Sequence, residues 1–131
     1  MNKLGLFLVG IILLACKPQT AQQVQTDDEV RLVEINEFRA LLKEKEVQLI
    51  DVRTVHEFEL GSIPGAVNIN YWDKDFADRL NEFDKEKAIA VYCAAGLRSA
   101  QAAVKLKALG FKEVYDLDGG LRAWHTRPVV E

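Results

Sequence analysis

The sequence predicts an α/β domain built on a mainly parallel sheet of five strands. Three observations predict it. Short apolar segments alternate with segments whose apolar residues recur every three or four positions, strand then helix, through most of the chain after residue 30. Two of the apolar segments, Val47–Val52 and Ala88–Cys93, show little polar alternation, as strands buried on both faces do. Strands joined by helices in this order lie parallel and connect by right-handed crossovers.

The elements follow in order. Arg31–Glu34 is a short strand. Asn36 is placed to cap a helix with Phe38, Leu41 and Leu42 on one face. Val47–Val52 is the second strand. Thr54 to Leu60 forms a short helix, with Thr54 as cap and Glu57 at its third position, the pattern of a capping box. Ile63-Pro64-Gly65 is a turn, and Ala66–Ile69 a third strand. Asp73 or Asp75 begins a helix that carries Phe76, Leu80 and Phe83. Ala88–Cys93 is apolar throughout and so central to the sheet. Ser99–Leu109 is a helix that Gly110 ends. Glu113–Leu117 is the last strand, and Gly119-Gly120 opens a final helix through Trp124.

Length and composition bound the function. Residues 1–15 hold 11 apolar side chains and one of the 17 basic residues, Lys3; the remainder carries a net charge of −4. No basic stripe exists to neutralise phosphates, so nucleic acid is not an expected partner. Two histidines and two cysteines give no ligand set for a structural zinc. Domain size suits a single core and a monomer.

The N-terminus reads as an address. After Lys3, Leu4 to Ala15 is apolar, too short to span a bilayer and of the length of a signal-peptide core. It ends Leu13-Leu14-Ala15-Cys16, which resembles the lipobox of bacterial lipoproteins. That resemblance implies a signal peptide over residues 1–15 and lipidation of Cys16. The chain would then be anchored by lipid alone to a membrane of the cell envelope, facing the periplasm. Residues 17–29 include four glutamines and few apolar side chains, too little to offset the entropy of ordering, so residues 16–29 read as a tether. The domain occupies residues 30–131.

Ligands of parallel α/β sheets bind at the carboxyl ends of the strands. The loop Cys93-Ala94-Ala95-Gly96-Leu97-Arg98-Ser99 lies there, between the most buried strand and a helix. The N-terminus of that helix favours an anion, and a thiolate is both an anion and a nucleophile. Small residues let the backbone curl around the sulfur, and Gly96 permits backbone angles that larger residues resist. Arg98 adds a planar cation suited to an oxyanion. His56 and His125 are expected at the surface or in packing.

These segments resemble single-domain rhodaneses, a family of sulfurtransferases. The loop is similar to the family's Cys-x-x-Gly-x-Arg-Ser signature, and Leu49-Ile50-Asp51-Val52-Arg53 with Glu57-Phe58 is similar to its second-strand segment. Gly61–Ile69, Ala108–Phe111 and Leu117–Gly120 with Trp124 resemble further family segments. The resemblance implies a three-layer α/β/α domain with Cys93 as carrier of a transferable sulfur. The amides of residues 94–99 and Arg98 would hold the donor, such as thiosulfate or a persulfide; cyanide or a thiol would accept. Asp51 and Arg53 would support the loop, with Arg53 pairing Glu57 as a structural alternative. No cofactor is implied.

Two departures bear on substrate. Ser62 stands where the family often has histidine. The loop interior, Ala94, Ala95 and Leu97, lacks the extra cation many members carry, which should weaken capture of small dianions. Three rivals remain: a Cys-dependent phosphatase, a non-catalytic binding module and a thiol redox protein. Phosphatase loops are one residue longer than the four residues between Cys93 and Arg98. A retained Cys, Gly and Arg argue against a silent module. A redox exchanger would lack a resolving cysteine in its own chain if Cys16 is lipidated.

Overall fold

The structure is a computed structural model that describes residues 29–44 and 46–126. The expected signal peptide and Cys16 lie outside the described residues. Ten elements alternate without exception: β1 (Arg31–Val33), α1 (Ile35–Glu44), β2 (Gln48–Asp51), α2 (Val55–Glu59), β3 (Val67–Asn68), α3 (Phe76–Leu80), β4 (Ile89–Tyr92), α4 (Leu97–Ala108), β5 (Val114–Leu117) and α5 (Gly120–Thr126). The five strands form one sheet in the order β1-β5-β4-β2-β3. Every neighbouring pair is parallel.

Successive side chains of a strand point to opposite faces, and the two cores follow that alternation. Ile50, Ile89, Val91 and Val114 join Ala102, Ala103 and Leu106 of α4 and Phe76 and Leu80 of α3. Leu49, Ala90, Tyr92, Tyr115 and Leu117 join Ile35, Phe38 and Leu41 of α1 and Leu121 of α5. Helices thus cover both faces in three layers, as expected. All four residues of β4 are buried, which fits its place inside the sheet. Each fully buried aliphatic side chain contributes about 1.5–3 kcal/mol.

Helix starts differ from the expectation twice. Asn36 does not cap α1: the helix begins at Ile35, and the Glu34 carbonyl accepts the Phe38 N–H at 2.8 Å. The reason is burial, because Ile35 is 1% exposed and enters the core from the first turn. Helix α4 begins at Leu97 rather than Ser99. Asp75 precedes α3 but makes no side-chain cap, and the helix stops at Leu80. Phe83 still reaches the core, from the turn beyond. The capping box at Thr54 and Glu57 is present as read.

Candidate active site

The site is assembled where β4 ends. Its last residue, Tyr92, pairs in register with Asp51 at the end of β2, so both strands deliver their next residues to the same edge. Cys93 follows, 1% exposed, on the α4 face of the sheet. The chain then turns through Gly96, whose φ of +111° is a conformation that side chains with a Cβ resist. This turn directs the Gly96 N–H onto the Cys93 Sγ at 3.0 Å. One helical turn on, the Ser99 hydroxyl lies 3.5 Å from the same sulfur and donates to the Gly96 carbonyl at 3.2 Å. The sulfur therefore meets one backbone donor and one hydroxyl at the start of a 12-residue helix.

The other side of the loop is held by α5. Leu121 N–H donates to the Cys93 carbonyl at 2.8 Å, and Arg122 N–H to the Ala94 carbonyl at 3.1 Å. These are orphan donors of a helix N-terminus put to use. In a trans peptide the N–H points opposite its C=O, so the Ala94 and Ala95 N–H groups face away from α5. The approach is close: a Cβ on Gly120 would stand 2.5 Å from the Cys93 carbonyl oxygen.

Arg98 does not extend freely over the loop. Its Nη1 and Nη2 fork onto Glu57 Oε2 and Oε1 at 2.8 and 2.9 Å. Glu57 is held for this role by the capping box, its Oε2 accepting from the Thr54 N–H at 2.9 Å. The Arg98 hydrogen bond outweighs burial and, with the Thr54 bonds, brings the Glu57 carboxyl from 4.5 down to about 2. The expected pairing of Arg53 with Glu57 is thus corrected. Arg53 instead folds back on Asp51, Nη2 to Oδ2 at 2.6 Å, because the two side chains leave the strand end on the same face while the cap aims Glu57 at α4.

The Asp51–Arg53 pair is a buttress rather than a lining of the sulfur site. Asp51 is 0% exposed and also accepts the Arg53 N–H at 2.9 Å. Arg53 donates to the Gly61 carbonyl at 2.7 Å and lies over the Tyr92 ring, 5.8 Å from its centroid. Burial, then the bond to Asp51, pushes the Tyr92 phenol well up. Tyr92 Oη also receives the Ile63 N–H at 3.0 Å. The ends of β2 and β4 and the turn before β3 are tied together directly behind Cys93.

Ala95 and Leu97 are exposed, Ala94 is half-buried, and His56 and His125 lie at the surface. Among the described residues no group of three or more His, Cys, Asp or Glu side chains is placed to hold a metal. A concavity of about 330 Å³ lined by Arg39, Leu42, Ile63, Pro64 and Trp124 belongs to the α1 side of the sheet, away from Cys93. Two site residues escaped the sequence reading: Gly120, and Asp116, which is buried inside β5 opposite Val91 of β4. The signal for Asp116 was an acid inside an apolar strand.

Glu57 gives a testable consequence. Its carboxyl is depressed in the folded chain, so the Arg98 pair stabilises fully above about pH 4.5 and loses that effect as pH falls toward 2. Thermal melts of Glu57→Gln should lack this part of the acid dependence. The same variant frees the Arg98 fork from its carboxylate.

A buried cysteine under a helix N-terminus, at the carboxyl edge of a parallel sheet and held by backbone donors, defines a cysteine-centred α/β domain. The chain belongs to the family of rhodanese-like domains, which matches residues 34–127. It is 36% identical over 91 residues to the thiosulfate sulfurtransferase GlpE of Shewanella oneidensis, covering 70% of this chain and 88% of that protein. It is 36% identical over 90 residues to the tRNA uridine(34) hydroxylase of Teredinibacter turnerae, but spans only 28% of that longer protein. The human single-domain sulfurtransferase superposes with a TM-score of 0.67 at 26% identity, over 74% of this chain and 96% of that one.

Proposed function

We propose that the chain is a sulfurtransferase with Cys93 as its sulfur carrier. The observation that carries this reading is the Gly96 N–H aimed at the Cys93 sulfur at 3.0 Å. The Cys93 thiolate attacks the outer sulfur of the donor. A new S–S bond forms, the donor's S–S bond breaks, and sulfite (from thiosulfate) or a thiolate (from a persulfide) leaves with the electron pair. An acceptor thiolate or cyanide then attacks the outer sulfur of the Cys93 persulfide and releases the Cys93 thiolate. The loop amides of residues 94–99 hold the charge that each step places on sulfur. Arg98 assists the donor only as far as its fork on Glu57 allows.

That occupied fork and the uncharged Ala94, Ala95 and Leu97 favour a thiol-borne persulfide over free thiosulfate as donor. A KM for thiosulfate as low as that for a small persulfide would overturn this preference. The similarity to a sulfurtransferase that the chain covers almost throughout supports the class; the hydroxylase relatives supply a domain, and their whole activity belongs to longer proteins.

Intact mass of the full chain after incubation with thiosulfate tests the reading. One added sulfur is expected, removed by cyanide and absent from Cys93→Ser. If no adduct forms with any persulfide or thiosulfate donor, a binding module takes its place. The lipid anchor at Cys16 is proposed from Leu13–Cys16 alone. Labelled palmitate should enter the wild-type chain in a bacterial host and not Cys16→Ser; equal labelling would overturn the anchor.

A further inference from the structure

The Ser99 hydroxyl has one proton, and once Cys93 is an anion three acceptors can compete for it. It donates to the Gly96 carbonyl at 3.2 Å, and its oxygen accepts from the Cys93 thiol at 3.5 Å. Hydrogen bonding from Ser99 also works against burial at the Asp116 carboxyl. The Gly96 carbonyl can release the Ser99 proton at little loss, because it already receives the Ala100 N–H at 3.1 Å. The contest is therefore between a sulfur anion and a carboxylate.

Asp116 is an unusual residue for its place. It lies within β5, opposite Val91 of β4 and Leu32 of β1, and is 2% exposed. Its Oδ1 has no hydrogen-bond partner among the described residues. A buried carboxylate with a bare oxygen is costly; a carboxylic acid, with one proton to give, is far less so. The strand supplies no cation, since both register partners are apolar. The facing groups that titrate or carry charge are Asp118 on the same segment, Cys93 across Ser99, and Arg98 beyond the sulfur.

We propose that Asp116, in its protonated form, is a positioning residue for Cys93: its carboxyl proton is given to the Ser99 oxygen, which frees the Ser99 proton for the sulfur. A hydroxyl accepts and donates at once, so the chain Asp116–Ser99–Cys93 is satisfied throughout when the sulfur is a thiolate or a persulfide. When Asp116 is ionised, it takes the Ser99 proton in a charge-assisted bond and leaves the sulfur with the Gly96 amide. Burial, opposed by the Ser99 bond and reinforced by Asp118, pushes the Asp116 carboxyl up to about 6, so both forms exist in an ordinary working range. The role deepens the sulfur-carrier reading and rests on it for its purpose, but the state of the sulfur can be read without any donor.

The test is the ultraviolet absorbance of the Cys93 thiolate in the full chain, with Cys93→Ser subtracted. At neutral pH, Asp116→Asn, whose amide donates permanently to Ser99, should raise the ratio of thiolate to thiol about tenfold, the worth of one hydrogen bond to a charged group. In a Ser99→Ala background the same substitution should change it less than threefold. The wild-type curve itself should rise less steeply above about pH 6 than that of an independent thiol, and Ser99→Ala should restore the simple curve. An unchanged ratio in Asp116→Asn, or a gain that persists undiminished without Ser99, overturns the relay. Failure of the sulfur adduct with the relay intact would instead overturn the transferase reading.

Discussion

Replacing Gly120 with alanine is expected to disable the Cys93 loop from behind. The new Cβ would lie 2.5 Å from the Cys93 carbonyl oxygen and 2.7 Å and 2.8 Å from the carbonyl carbon and oxygen of Ala94. All three are backbone atoms, so no side chain can swing aside. Either α5 retreats and gives up the Leu121 and Arg122 bonds, or the loop shifts and the Gly96 amide leaves the sulfur. Overpacking of this kind costs about 3 kcal/mol. For a domain of this size that lowers Tm by roughly 12–24 °C. Formation of the sulfur adduct proposed at Cys93 should fall about a hundredfold even in the fraction that stays folded, the cost of a misplacement of about 1 Å. Melting followed by calorimetry, with adduct formation measured well below Tm, separates the two effects. Wild-type adduct rates in a folded Gly120→Ala chain would contradict the role given to α5.

Asp51→Ala should be the most damaging substitution outside the loop. It strands the Arg53 guanidinium, whose side chain is only 6% exposed, without its carboxylate. Removing one partner of a buried pair costs about 3–5 kcal/mol. A loss of Tm of roughly 12–40 °C follows. The double variant Asp51→Ala with Arg53→Met should recover part of this, since the uncompensated charge is gone. Chemical denaturation of the two singles and the double gives the coupling directly. A double variant no more stable than Asp51→Ala would mean that the pair acts through the Gly61 and Tyr92 contacts instead.

The fold was legible because burial writes itself along the chain. Val91 and Ile89 face one core and Ala90 and Tyr92 the other, and a strand that needs both faces apolar cannot hide. The Thr54–Glu57 box was legible too, since both partners lie within one helical turn. The loop from Cys93 to Ser99 could be read because its chemistry is covalently contiguous. What could not be read is choice among distant partners. Arg98 lies 41 residues from Glu57, and the sequence offered Arg53 as a nearer candidate for the same carboxylate. The α5 bonds to the loop pass through backbone groups, which every sequence has and none advertises. Asn36 misled because capping preference is a small term beside the burial of Ile35.

The carbonyls of Cys93 and Ala94 are fixed by α5, on the far side of the peptide planes from the sulfur. Charge arriving on Cys93 therefore meets dipoles that are already oriented and need no reorientation. The residues that face outward, Ala95 and Leu97, take no part in that fixing, and Leu97 is 80% exposed. Reactivity and choice of partner are thereby carried by different atoms of the same seven residues. The rim can be rewritten for a new donor or acceptor while the backbone machinery beneath it stays as it is.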